Sequence, residues 1–348
     1  MTIDEMEYTR NEVDKAGDIF RDLESSSLVD PWAAGVLSYW RAIHSYPINT
    51  FQATLRNKLK KIDEQALVAQ RLKRFSSIIQ KLQRFQNMDL SRMQDIGGLR
   101  AVVRGMRELQ SLHTNYKKTR FLHTLIKEYD YIFTPKESGY RSIHLVYCYN
   151  NPRVPAYNGL RIELQLRTRK QHAWATAVET MGIFLNNALK SSVGPEDWLN
   201  FFSLTSSGFA HLEKQNLVPG YEDLTLDETF YKITQKSKEL DVEGKLTGFG
   251  VAINAIQSDN RRGTYYLLVL DPTKRTIRYQ AYSKERFGIA TDDYLKEEEE
   301  IVEGCQKQAV LVATASIEDL KRAYPNFFLD TQEFLKILKA IEKRANKT

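Results

Sequence analysis

Cysteine is nearly absent from this 348-residue chain: Cys148 and Cys305 are far apart and form no CxxC, which excludes a disulfide framework or a thiolate zinc site built from them. Long apolar runs are missing too. None approaches the roughly 20 residues a bilayer-spanning helix needs. The opening MTIDEMEYTRNEVDKAGD is acidic and polar where a secretory signal would be basic and then apolar. The expectation is a cytoplasmic protein with no membrane partner. Several nucleotide and metal signatures are lacking as well. There is no GxxxxGKS or GxxxxGKT and no HExxH, Gly248 to Gly250 lacks the third glycine of a dinucleotide fingerprint, and none of the six histidines is followed by aspartate. These absences set aside a P-loop NTPase, a zincin, a dinucleotide-binding fold and a His-Asp phosphohydrolase.

What the sequence does have is charge, unevenly spread. The formal net charge is +6, yet residues 51–120 hold 16 Lys or Arg against 5 Asp or Glu, and the remainder is net acidic. A solvated basic helix face is the ordinary explanation for such a run. An excess this concentrated favours a polyanionic ligand: the phosphates of a nucleotide, an RNA, or both.

Periodicity divides the chain. From Pro31 to Phe85 apolar residues recur at helical spacing, in WAAGVLSYWRAI and in LVAQRLKRFSSIIQKLQRF. The period then changes, and Leu99–Val103, Tyr140–Tyr149 and Leu160–Thr168 read as strands. The segment RELQSLHTNYKKTRFLHTLIKEY reads as helix and loop, and a helix is expected from Lys170 to Leu189. This succession describes an α+β fold, a mixed sheet flanked by helices, followed by a second, smaller β-rich α+β domain. The expected limits are 1–189 for the first domain, 190–245 for a helical connector and 246–348 for the second. In the last part, LTGFGVAINAI, the hairpin GTYYLLVLDPTKRTIRYQAYS with DPTK as its turn, and QAVLVATA are strand candidates. Two helices are expected to close the chain, one after Ser316 with Asp319 and one after Asp330 with Glu333 as N-cap pairs.

Four clusters carry candidate chemistry. In LRIELQLRT, period-two alternation puts Arg161, Glu163, Gln165 and Arg167 on one face and apolar residues on the other. An isolated amphipathic surface strand looks the same, but a phosphoryl-transfer site needs carboxylate, amide and guanidinium groups in a fixed row. In SRMQDIGGLRAVV, Asp95 precedes two glycines and Arg100. That Asp suits Mg2+ or a simple Asp-Gly-Gly turn equally. In DYIFTPKESGYRSIHLVYCY, Tyr140, Ser142 and His144 share one strand face, and a tyrosine there can stack on a nucleobase or join the core. In RLKRFSSIIQKLQR, read as helix, Arg71, Lys73, Arg74, Lys81 and Arg84 surround Ser77.

In this order and spacing, these four clusters resemble the synthetase motifs of the RelA/SpoT family across roughly residues 65–190. The resemblance implies a nucleotidyltransferase-like fold and a pyrophosphokinase that moves the β,γ-diphosphate of ATP onto a hydroxyl. It implies that Arg71 and Arg100 sandwich the adenine, and that Lys73, Ser77 and Lys81 hold the phosphates. Asp95 and Glu163 would position Mg2+, with Glu163 also polarising the attacking hydroxyl. Tyr140 would stack on the acceptor base, and Arg141, His144 and Gln165 would complete the acceptor side. One departure bears on specificity: Glu179 is followed by Thr180, where alarmone-making relatives carry a Glu-His pair.

The segments LSYWRAIHSYPINTFQATLR and KRAYPNFFLDTQEFL resemble the CapRel group of fused toxin–antitoxin proteins in anti-phage defence. That resemblance implies transfer to the 3′-CCA end of tRNA, which stops translation, and restraint by a pseudo-zinc-finger C-terminal domain until a phage protein such as a capsid component relieves it. The restraining YxxY motif would fall on Tyr324 and Phe327. Lys58, Lys60, Lys61, Lys117, Lys118 and Arg120 are the candidates for contact with the tRNA backbone. The competing expectations are an alarmone synthetase acting on free GDP, GTP or adenine nucleotides, and a non-catalytic nucleotide or RNA sensor.

Overall fold

The computed structural model describes residues 6–23, 29–118, 121–184, 194–244, 246, 264–271, 276–299, 308–313 and 331–347. Three helices open the chain: α1 (Arg10–Arg21), α2 (Pro31–Ile43) and α3 (Ser45–Ile62). Their starts follow from capping chemistry. Thr9 and Glu12 form a reciprocal capping box on α1, while Asp30 caps α2 ahead of a proline at its first position.

The next elements are β1 (Leu67–Leu72), α4 (Phe75–Arg84), β2 (Gly97–Val103), α5 (Met106–Lys118), β3 (Thr124–Asp130), β4 (Ile143–Cys148), β5 (Arg161–Thr168) and α6 (Arg169–Phe184). The strands form one mixed sheet in the order β1-β2-β5-β4-β3, in which β2 and β5 are parallel and the other pairs antiparallel. One face of this sheet is core. Leu99, Ala101, Ile162, Leu164 and Leu166 are buried there, and Gly97 leaves room for Ile48 of α3, since a Cβ on Gly97 would stand 3.0 Å from its Cδ1.

Two of these strands depart from the expectation. LVAQRL, read as part of a long helix, is β1. The chain turns before it without glycine or proline because the Asp63 carboxylate accepts the backbone N–H of Gln65 at 3.2 Å and of Arg104 at 2.7 Å. The segment TLIKEYD, read as loop, is β3, an edge strand with Thr124, Ile126 and Lys127 exposed. It therefore shows no clean burial period in sequence.

The stretch read as a connector forms α7 (Glu196–Glu213) and α8 (Leu226–Glu239), and both are walls of a second core. The remaining described elements are β6 (Tyr265–Asp271), β7 (Thr276–Tyr282), α9 (Phe287–Glu299), β8 (Gln308–Ala313) and α10 (Gln332–Ala345). β6 pairs antiparallel with β7 and with β8, and Asp271 opposite Thr276 closes the expected hairpin. Helix α9 was not foreseen in sequence. Its Tyr294 is fully buried, and its hydroxyl donates to the Leu72 carbonyl at the end of β1, at 3.2 Å, while accepting from Arg41 at 2.8 Å. Helix α10 begins after Thr331, which makes no side-chain cap. Of LTGFGVAINAI only Leu246 is described, as helix and buried in the second core; residues 185–189, 247–256, Cys305, the helix after Ser316 and Asp330 lie outside the described residues.

The second core joins α6, α7, α8 and α10. Phe334 of α10 is fully buried, its ring 5.7 Å from that of Phe209 and 6.1 Å from that of Phe202. Truncating so large a buried ring costs about 3–5 kcal/mol. Phe334→Ala is therefore expected to lower the unfolding free energy measured by urea denaturation by an amount in that range, and an unchanged midpoint would show that α10 is not part of the fold's core.

Candidate active site

The face of the sheet opposite the α3 packing carries the polar row. Strand register places Arg71, Gly98 and Glu163 side by side, and Arg100, Gln165 and His144 side by side in the next row. These residues, with Lys73, Asp95, Lys136, Tyr140 and Arg167, line a cleft of about 400 Å3. Gly98 keeps its floor open. A Cβ there would make only ordinary contacts, at 3.6 Å or more, so packing does not demand this glycine.

Asp95 stands just before β2, held by the bond from the Lys73 N–H to the Ile96 carbonyl at 2.7 Å. Its carboxylate accepts from Lys73 Nζ at 3.0 Å and Lys81 Nζ at 2.8 Å. Burial works against ionisation, but the two ammonium groups outweigh it and hold Asp95 down at about 2. Glu163 accepts from His144 Nδ1 at 2.7 Å and from Gln165 Nε2 at 2.8 Å. Its pKa is lowered as well: burial opposes the charge and His144 restores it, while Asp95 repels it. Two ionised carboxylates thus face one cleft close enough to oppose each other. Among the described residues no group of three or more His, Cys, Asp or Glu could hold a metal by itself. Two carboxylates suit Mg2+, which keeps waters and takes substrate phosphates as its other ligands.

His144 Nε2 meets the Tyr140 hydroxyl at 2.7 Å, and Arg167 Nη2 donates to the same hydroxyl at 2.6 Å. Burial resists ionisation of the phenol, yet Arg167 and His144 overcome it and bring Tyr140 down to about 7. Burial likewise disfavours the imidazolium, but Tyr140 and Glu163 outweigh it and raise His144 to about 9. Lys136 Nζ stands 4.4 Å from the Tyr131 centroid and 5.5 Å from that of Tyr140. Tyr131 in turn stacks on Tyr129 at 5.7 Å with an interplanar angle of 10°. Three tyrosine rings therefore follow one another beside the cleft. Arg167 was legible from the alternation of β5; Lys136 and Tyr131 had no signal beyond lying in the same loop.

The loop carrying Tyr140 is clamped from outside the sheet. Gly139 has φ +87° and packs so closely on α6 and α7 that a Cβ would stand 2.9 Å from Trp174 and 3.0 Å from the Ser203 Cα. Its carbonyl accepts from Ser206 at 2.6 Å.

Several expected site residues fall elsewhere. Arg71 is on β1 and Lys73 follows it, so neither is helical as read, whereas Ser77, Lys81 and Arg84 lie on α4 with Arg74 as its N-cap. Ser77, in the first turn of α4, does not line the cleft, and Lys81 reaches it through Asp95. Arg141 lies just before β4 and is buried with its guanidinium 3.5 Å from the Glu213 carboxylate of α7. It orients no group in the cleft. Lys58, Lys60, Lys61, Lys117 and Lys118 lie on α3 and α5, behind the sheet, where Lys58 bonds Asn115 and Lys117 pairs with Glu128. Arg120, Tyr324 and Phe327 lie outside the described residues.

Residues 70–183 match the family described as "Region found in RelA / SpoT proteins". The chain is 35% identical over 114 residues to GTP pyrophosphokinase YjbM of Bacillus subtilis, covering 31% of this chain and 52% of that relative. It is 33% identical over 142 residues to a GTP pyrophosphokinase of Haemophilus influenzae, covering 40% of this chain and 18% of that relative. The chain thus spans about half the length of the first relative and under a fifth of the second. The structure of small alarmone synthetase 1 from Bacillus subtilis bound to its product pppGpp aligns at a TM-score of 0.44 and 24% identity, over 49% of this chain and 90% of that one. Every residue lining the cleft falls within the stretch 70–183 that matches this family.

The shifts make the site sensitive to pH in a definite direction. His144 is raised above its ordinary 6.5, so the stabilisation its imidazolium gives is complete below that value and is lost as pH rises through about 9. Tyr140 is depressed from 10, so the contribution of its phenolate is lost as pH falls through about 7. For any activity that needs the Glu163–His144 pair, kcat/KM is expected to fall on the alkaline side near pH 9, and His144→Gln to abolish that limb. A profile unchanged by the substitution would refute the assignment.

Proposed function

We propose that this protein is an ATP-dependent pyrophosphokinase that passes the β,γ-diphosphate of ATP to the 3′-hydroxyl at the CCA end of tRNA. The observation that carries the reaction class is the convergence of Asp95, Glu163, Arg71, Lys73, Arg100 and Tyr140 on one cleft. Arg71 and Arg100 flank it from adjacent strands, at a spacing suited to holding an adenine. Lys73 and the first turn of α4 offer cations and N–H groups to phosphate. The acceptor oxygen attacks the β-phosphorus, the bond from that phosphorus to the bridging oxygen of the α-phosphate breaks, and AMP leaves with the electron pair. Glu163 takes the hydroxyl proton, held in place by His144 and Gln165. Mg2+, held by Asp95 and Glu163, would supply neutralisation of phosphate charge.

The succession of Tyr129, Tyr131 and Tyr140 supports a strand of bases as acceptor, since each base of a single strand can take one ring. A free GDP or GTP acceptor is the second reading, favoured by the two relatives, both named GTP pyrophosphokinases. Incubation with ATP labelled at the γ-position, tRNA, GDP and GTP separates them: label is expected in tRNA, and label only in GDP or GTP overturns the acceptor assignment. Asp95→Asn and Glu163→Gln are expected to lower transfer by about 10²–10³-fold, the scale on which losing one charge-stabilising group acts. Full transfer in both variants would refute the roles given to these carboxylates, and no transfer to any acceptor by the unaltered chain would leave the non-catalytic sensor reading.

In the same proposal the C-terminal part, residues 246–348, restrains the enzyme until a phage protein such as a capsid component releases it. What supports this is the attachment of Tyr294 to Leu72, one residue from Arg71 and Lys73, while Arg41 also donates to the Lys73 carbonyl at 2.9 Å. Deleting residues 246–348 would strip α10 from the second core, so a point change is the cleaner test. Tyr294→Phe removes two hydrogen bonds, worth about 1–3 kcal/mol together, and is expected to raise activity in the absence of any trigger. Activity equal to or below that of the unaltered chain would rule out restraint through this contact.

A further inference from the structure

With the lysines of α3 and α5 behind the sheet, the proposed RNA acceptor needs cations on the cleft side, and three guanidinium groups from distant segments gather at the start of β5. Arg161 precedes Glu163 by two residues on the same strand face, a separation of about 6.6 Å. Its Nη1 donates to the Arg92 carbonyl. Arg10, the first residue of α1, donates Nη2 to the Asn158 carbonyl at 3.3 Å and packs on Gly159, whose φ of +85° and lack of Cβ make the room. Beyond partial burial, Arg92 and, less strongly, Arg10 work against the charge on Arg161 while Cys148 favours it, so both guanidinium groups lie within electrostatic reach of Arg161.

The bonds that fix Arg10 and Arg161 go to carbonyl oxygens, which orient a guanidinium without cancelling its charge. Among the described residues, Asp14 is engaged elsewhere and Asp89 alone pairs with the cluster. Asp14 accepts the Ser91 N–H at 2.7 Å and its hydroxyl at 2.8 Å, while Asp89 meets Arg92 only at an exposed 3.4 Å. Like charges held together cost free energy unless an anion neutralises them, and planar guanidinium forks match phosphate oxygens.

We infer that Arg10, Arg92 and Arg161 form a phosphate-binding site beside the cleft that takes the backbone of the RNA whose 3′ end enters it. This rests on the tRNA reading above. The chemistry recognised is phosphate, which an RNA strand and a free nucleotide both carry, and the measurement separates the two.

The experiment compares the full chain with the Arg10→Ala/Arg92→Ala/Arg161→Ala variant, and with Arg92→Glu, a change at a side chain 70% exposed whose ion pair with Asp89 lies at the surface. Filter binding of end-labelled tRNA is measured across salt concentrations, and transfer to tRNA, GDP and GTP in parallel. The triple variant is expected to weaken tRNA binding at least tenfold and to reduce the salt slope by about 2, since each lost phosphate contact removes roughly 0.7–0.9. Arg92→Glu is expected to weaken it in the same direction, with transfer to GDP, if any, within twofold of the unaltered chain. Equal losses for GDP, GTP and tRNA would assign the site to free nucleotides and overturn the RNA assignment; unchanged tRNA affinity and slope in both variants would overturn the site itself. A chain that binds tRNA but labels none would sink the acceptor reading while leaving the arginines to be judged by binding alone.

Discussion

Everything in the cleft depends on keeping two carboxylates ionised beside each other in a partly buried space. Asp95 manages it by lying between Lys73 and Lys81, and Glu163 by accepting from His144 and Gln165. Neither arrangement removes their mutual repulsion, which a divalent cation would. The donors are fixed in turn by what lies behind them: His144 by Tyr140, Tyr140 by Arg167, and Lys73 by the Ile96 carbonyl and Arg41. Charge in the cleft is therefore organised before any substrate arrives, which is the condition under which electrostatic stabilisation is most effective.

The second constraint is mechanical. The Tyr140 loop takes its shape from α6 and α7, through the close approach of Gly139, the Ser206 bond and the burial of Arg141 facing Glu213. Glu213 also accepts from Gln171 at 3.1 Å and from Thr168, so one buried carboxylate ties the end of α7 to β5 and α6. Removing one partner of such a buried pair leaves the other charge uncompensated, at about 3–5 kcal/mol. Helices α7, α8 and α10 lie outside residues 70–183, yet they build the core in which Tyr140 is buried. The Tyr140 side of the cleft and α10 thus share one core.

Much of the sheet was readable because β2, β4 and β5 are central strands whose burial alternates or runs apolar, and the polar face of β5 announced Glu163, Gln165 and Arg167 together. The outer strands were not. β1 hid inside a helical spacing with no glycine or proline before it, and β3, half exposed at the edge, has too few buried side chains to show a period. The misplacement of Arg71 and Lys73 onto a helix follows from the first of these. They still reach the cleft, since β1 pairs with β2 at Gly98.

The sequence by itself determined which residue types could serve phosphoryl transfer and in what order: a basic stretch, Asp95 before paired glycines, a tyrosine loop, and Glu163 on an amphipathic strand. Local patterning suffices for that, because alternation and turn chemistry act between near neighbours. Only the tertiary structure decided which charges meet. It turned Arg141 into the interior and left the lysines of α3 and α5 behind the sheet. It also gathered Arg10, Arg92 and Arg161, and set Tyr294 under β1. Those outcomes depend on which face of the sheet each helix covers and on contacts between segments as much as 253 residues apart, and no local period records either.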